Sequence, residues 1–196
     1  MAVYVSGGVS SGFPFQVKIV NGLTRWYWLP NFGATGTNTG LGINVARLCP
    51  FWIPNACTLL AIGAEVTVAG DAGSLVHMGI YNDDGTGRPG ILLADIGSLN
   101  GASATVQSIG SLNIPLPAGM YHYCQILQNI TTTQPTMRVQ AASFILPTDN
   151  TAMPGVATNN GGWVNAGPWP GALPNSFPGV TGSQANSVPR MFAQLT

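Results

Sequence analysis

Between Leu59 and Val68 the chain alternates, with Leu60, Ile62, Ala64, Val66 and Val68 on one side and Glu65 and Thr67 on the other. A period of two belongs to a β-strand, whose successive side chains leave opposite faces of a sheet; a helix would repeat every ~3.6 residues. The pattern recurs along the chain. Leu75 to Tyr81 sets Val76, Met78 and Ile80 against His77, Gly79 and Tyr81. Ile91 to Gly97, Met120 to Leu127 and Thr136 to Leu146 read as further strands, and Ile43 to Ile53 as an earlier one ended by Pro54. The last, Pro189 to Leu195, turns Met191, Ala193 and Leu195 one way. Helical periodicity is nearly absent. Short strands with turn residues between them predict an all-β fold, a single antiparallel β-sandwich of about eight strands in a jelly-roll-like arrangement. The expected inward set is Leu60, Ile62, Val66, Val76, Met78, Ile80, Leu92, Ile96, Val139 and Met191.

Three stretches fall outside this rhythm. Residues 1–40 are rich in Gly, Ser, Thr and Asn and carry an isolated aromatic cluster, Trp26-Tyr27-Trp28. They read as an irregular N-terminal arm ahead of a sandwich domain at 41–196, adding little to its stability and much to attachment. Residues 147–187 form a long Pro/Gly/Asn-rich loop before the last strand, with Trp163 and Trp169 inside it. Loops of that length in compact domains usually bind something or are disordered, and two indoles weigh against disorder. Ser98 to Leu116 reads as loop plus a weak edge strand. Trp26, Tyr27, Trp28, Trp163 and Trp169 are therefore the candidate partner-binding residues. The competing reading is packing beneath the long loop, because large aromatics usually bury most of their area.

Charged residues make up only 6% of the 196, against roughly 25% in ordinary soluble proteins, and the formal net charge is zero. A nucleic-acid binder needs a basic footprint to neutralise phosphates, and a polybasic membrane-surface mode needs the same, so neither partner is expected. The charge-free stretches are broken by Asn, Gln, Ser, Pro and Gly and offer no spanning helix. No basic residue precedes Lys18, so a secretory signal is not expected and synthesis in the cytosol is. Cys49, Cys57 and Cys124 form an odd set, which suits reduced, partly buried thiols.

Motifs for chemistry are sparse. Asn82-Asp83-Asp84-Gly85-Thr86-Gly87 could offer oxygens to Ca²⁺, but hairpin-turn chemistry alone explains every residue in it. His122 and Cys124, two apart on one strand face, could join Cys49, Cys57 or His77 at zinc; Cys49 and Cys57 lack knuckle spacing, and Met120 and Ile126 on the same face favour packing. No Gly-x-Ser-x-Gly elbow occurs, and Glu65 is the only Glu. Gly85 to Gly90 has glycines but neither the Lys-Ser/Thr nor the helix of a phosphate loop. No catalytic residue, cofactor or metal is expected, and the chain is not expected to be an enzyme.

One run carries a resemblance. Met78-Gly-Ile-Tyr-Asn-Asp-Asp-Gly-Thr-Gly-Arg-Pro-Gly-Ile-Leu-Leu-Ala-Asp-Ile-Gly97 resembles a hairpin and following strand of virion proteins of tailed bacteriophages. In the same order, Leu116-Pro-Ala-Gly-Met-Tyr121 resembles that family's next strand entry, Gly171-Ala-Leu-Pro-Asn-Ser-Phe-Pro178 a loop, and Pro189 to Leu195 its closing strand. His122 departs from the pattern, which commonly has Trp there. The resemblance spans about Ile43 to Thr196 and implies a β-sandwich module of tail fibres, tail-tip proteins and capsid-attached proteins, without catalytic residues. The chain is short, lacks a coiled-coil shaft and has an arm suited to lie along another subunit. Its low charge fits a surface covered by close-packed neighbours. The expectation is a virion component made in the host cytoplasm: a capsid decoration (cement) protein that staples shell subunits, with the major capsid protein as partner. A homotrimer is expected by analogy with related virion proteins. The alternative is a tail-fibre or tail-tip receptor-binding protein whose 147–187 aromatics contact host glycans.

Overall fold

The computed structural model describes residues 23–29, 35–38, 41–141, 162–165, 167–177, 183–184 and 187–196. In chain order the strands are β1 (Arg25–Leu29), β2 (Thr35–Asn38), β3 (Ala46–Ile53), β4 (Cys57–Val68), β5 (Leu75–Asp83), β6 (Pro89–Asn100) and β7 (Val106–Ile109). There follow β8 (Ile114–Leu116), β9 (Gly119–Gln128), β10 (Thr136–Ala141), β11 (Trp163–Asn165), β12 (Ser183–Gln184), β13 (Ser187–Pro189) and β14 (Met191–Leu195). No helix occurs among the described residues. Two antiparallel sheets result. One runs β1-β14-β4-β10-β13, with β2 beside β10 and both β7 and β8 beside β4; the other runs β12-β11-β3-β9-β5-β6. This is the all-β sandwich that the alternation predicts, with more strands than expected and with β4, β5, β6 and β9 each longer than the alternating run that marks it.

The core lies between the sheets. Eight of the ten side chains expected inward belong to it: Ile62, Val66, Val76, Met78, Ile80, Ile96, Val139 and Met191. Each fully buried aliphatic contributes about 1.5–3 kcal/mol against the entropy of ordering the chain. Leu60 and Leu92 are the two corrections, and both follow from bulges. Against β14, Leu195 faces Leu59 while Gln194 faces Ala61, so Leu60 is an extra residue on β4. Leu59 and Ile62 both turn inward as a result, and Leu60 is left half-buried. Along β6 the partners slip three times, twice between Gly97 and Leu92: Met78 faces Gly97 but Gly79 faces Asp95, and Ile80 faces Ala94 but Tyr81 faces Leu92. Each slip exchanges the faces of everything beyond it. Ala94 and Ile96 pack on the inner core, whereas Leu92 packs on the other side of the sheet.

The boundaries also move. The strand expected from Ile43 begins at Ala46, and Ser98 to Leu116 contributes the end of β6 and both β7 and β8. The arm expected at 1–40 is corrected for two stretches. β1 pairs with β14 along its whole length, with Tyr27 in the inner core, and β2 pairs with β10. Residues 1–22 lie outside the described residues. Inside the 147–187 loop, β11 pairs with β3 and with β12.

Candidate functional site

The six-stranded sheet is covered on both faces. On its outer side the strand period brings up His77, Gly79, Tyr81 and Asp83 from β5, His122, Cys124, Ile126 and Gln128 from β9, and Ala46 and Leu48 from β3. Over them lie Trp163, Leu173 and Phe177, which complete a second apolar cluster with Ala46, Leu48, Tyr81, Cys124 and Ile126. Residues 167–177 run across this face as a strap. Phe177 packs against Tyr81 at 4.8 Å between ring centroids with the planes tilted by 55°, and Trp169 meets Phe177 edge-on at 6.2 Å. Leu173 sits in the space left by Gly79: a Cβ there would collide with its Cδ1. Glycine in mid-strand is here a packing hole for a knob from the strap.

The strap is also tied by hydrogen bonds. Trp169 N–H donates to Asn44 O at 2.9 Å, Leu92 N–H to Asn175 O at 2.8 Å, and the Tyr81 hydroxyl to Pro174 O at 2.8 Å. Gln128 Nε2 donates to two strap carbonyls, Trp169 O at 2.8 Å and Gly171 O at 2.7 Å. Beneath it, Gln128 Oε1 lies 3.2 Å from His77 Nδ1, and His77 Nε2 lies 2.6 Å from Asp95 Oδ1. A continuous polar chain therefore links Asp95 on β6, His77 on β5, Gln128 on β9 and the strap.

A second polar group anchors the β5–β6 hairpin. Asp83 Oδ1 accepts the N–H groups of Gly85 at 2.8 Å and Gly87 at 3.4 Å, while Asp83 Oδ2 pairs with His122 Nε2 at 3.1 Å. Asp84 Oδ1 accepts from Thr86 N–H and hydroxyl and from Arg88 N–H. Gly85 and Gly87 both take φ of 90°, open to glycine and strained for other residues. The acidic run thus closes its own turn. Burial pushes the Asp83 carboxyl up, but the His122 ring and the two glycine N–H groups outweigh it and hold the group below its ordinary value. From the same turn, Gly87 O accepts the Trp163 indole N–H at 3.1 Å, and the Arg88 guanidinium lies 5.7 Å over the Trp163 ring.

Most of these polar groups are engaged within the fold. Both His77 ring nitrogens have partners, whereas His122 is fully buried with Nε2 on Asp83 and Nδ1 without a hydrogen-bond partner. Burial pushes the Cys49 and Cys124 thiols up, away from the reactive thiolate. Among the described residues no group of three or more His, Cys, Asp or Glu could hold a metal ion.

The five aromatics picked from the sequence separate sharply. Trp26 is 49% exposed on the edge strand β1, while the next residue, Tyr27, is buried in the inner core. Trp28 pairs with Phe192 through its backbone, and its side chain lies outside the described set. Trp163 is 1% exposed and Trp169 half-buried. As contact residues Tyr27 and Trp163 are corrections: their rings pack within the chain, and among the described side chains of the five only Trp26 is mostly free of it. The sequence reading missed Gly79, Leu173, Phe177 and the Asp95–His77–Gln128 chain.

No protein-family model matches the chain, and no curated protein matches it.

Proposed function

We infer that this chain is a structural component of a tailed-bacteriophage virion, a capsid decoration (cement) protein that binds neighbouring shell subunits. The observation that carries a contact function is the pattern of apolar exposure on the strands of the sandwich. Trp26, Ile91 at 67% and Val106 at 61% stand exposed on regular strands of a chain with few charges. Apolar and aromatic side chains on a rigid, weakly charged surface suit protein–protein contact, where charge is depleted and aromatics act as anchors. The phage assignment rests on the resemblance of Met78 to Gly97, which forms the β5–β6 hairpin with its self-closing Asp83–Asp84 turn. The partner in this reading is the major capsid protein, the assembly a homotrimer, and the location the virion after synthesis in the host cytoplasm.

The tail-fibre or tail-tip reading, with loop aromatics stacking on host glycans, loses support from the burial of Trp163. Gold-labelled antibody on intact particles separates the two. Label over the shell is the expected result. Label confined to the tail transfers the assignment to the receptor-binding alternative, and unlabelled particles overturn both.

A further inference from the structure

We propose that Gln125 anchors an internal water site within the sandwich, on the inner face of the six-stranded sheet. The strand period of β9 turns Gln125 the same way as Tyr121, Tyr123 and Leu127, which all belong to the core between the sheets. Gln125 is 2% exposed. Its Nε2 and Oε1 are both buried, and among the described residues neither has a hydrogen-bond partner. Two residues along the same face, Tyr123 is fully buried and its hydroxyl is likewise unpartnered.

Local rearrangement does not satisfy these atoms. Turning the carboxamide over exchanges Oε1 for Nε2, and with both ends unpartnered the exchange gains nothing. The phenol hydrogen can rotate, but it finds no acceptor in any direction. Register places Met78 of β5 and Arg47 of β3 beside Gln125, and Ile80 and Cys49 beside Tyr123. Met78 and Ile80 are part of the apolar core. Arg47 turns its Nε to Leu41 O at 2.7 Å, and the Cys49 thiol faces the carbonyl of Pro50.

Each of these atoms gives up hydrogen bonds to solvent when the chain folds, and native interiors leave few such groups unmatched. The amide needs a partner that accepts from Nε2 and donates to Oε1. An anion serves the first and not the second, a cation the reverse, and an apolar molecule neither. The inner face between two packed sheets is also closed to a macromolecular partner. Water both donates and accepts, and interiors hold it where several polar groups converge, whereas apolar cavities stay dry. Gln125 and Tyr123 supply that convergence from adjacent positions on one strand face.

The test uses the full chain, labelled with nitrogen-15 and carbon-13, in water-selective NOE and ROE spectra. The Gln125 side-chain amide protons should show water cross-peaks of opposite sign in the two experiments, the mark of a water that tumbles with the protein. Tyr123→Phe removes the neighbouring exchangeable hydroxyl, and the same peaks should persist there, which assigns them to water and not to relay through the phenol. Gln125→Met keeps the length of the side chain without its amide. In that variant the oxygen-17 relaxation dispersion of the solvent should fall below that of wild type. Gln125 amide protons without bound-water peaks overturn the proposal. So do peaks lost in Tyr123→Phe, a dispersion unchanged in Gln125→Met, or amide cross-peaks to the polar side chain of another residue in place of water.

Discussion

Trp26-Tyr27-Trp28 and the Trp163/Trp169 pair look alike in the sequence, as indoles outside the well-patterned strands, yet the fold uses them in opposite ways. On β1 the strand period separates neighbours: Tyr27 enters the inner core and Trp26 points to solvent. Trp163 and Trp169 lie instead over the outer face of the six-stranded sheet, which would otherwise expose Leu48, Tyr81 and Ile126. One aromatic group ends with a side chain to spare; the other is consumed in making a further layer. An aromatic in an irregular segment is thus a contact candidate only after the faces it could cover have been counted.

The sharpest way to break this contrast is to truncate the covered indole. Trp163→Ala removes a side chain packed against Leu48 and bonded to Gly87 O, and should cost about 3–5 kcal/mol in denaturant unfolding. A loss under about 1 kcal/mol, the range of ordinary surface substitutions, would return Trp163 to the surface class. Next in size is Gly79→Ala, whose methyl collides with Leu173. Displacing that knob should cost about 1–3 kcal/mol and raise hydrogen exchange across 169–177 while sparing β1. Unchanged exchange in the strap would mean that Leu173 does not hold it down.

Asp83→Asn should cost about 1–2 kcal/mol at neutral pH, through weaker bonds to His122 and the turn that holds Trp163. The folded-state value of Asp83 is depressed, so its contribution is full above the ordinary carboxylate value near 3.8 and is lost as pH falls through the lower folded value. Wild type and variant should therefore converge on acidification. A difference that persists in acid would assign the loss to packing instead of charge.

The fold class was legible because a two-residue period survives almost any context, and eight of ten inward side chains followed from it. Leu60 and Leu92 escaped because a bulge is a single extra residue whose presence depends on the partner strand. The sequence near Leu60 keeps alternating while the pairing with β14 does not. The polar chain was hidden for the same reason. Asp95 reaches the row of Gly79, beside His77, only because Ile96 is extra on β6. Gln128 acquires meaning only when the strap arrives from more than forty residues away. The aromatics were visible as a set, but sorting them required knowing that the sheet has a second apolar face.

Trp26 gives the smallest expected effect on stability and the most informative one on function. Trp26→Ala on the exposed face of β1 should change unfolding free energy by no more than about 0.5 kcal/mol. Deleting the whole segment is a poorer probe, since it also removes Tyr27 from the core and β1 from β14. The central proposal is that an aromatic left over by the fold anchors this protein to a shell. Its most direct test is the binding of folded Trp26→Ala protein to capsids stripped of this protein. An indole acting as an anchor contributes about 2 kcal/mol or more, so affinity should fall roughly thirtyfold while the melting temperature holds. Binding equal to wild type at unchanged stability would contradict the account.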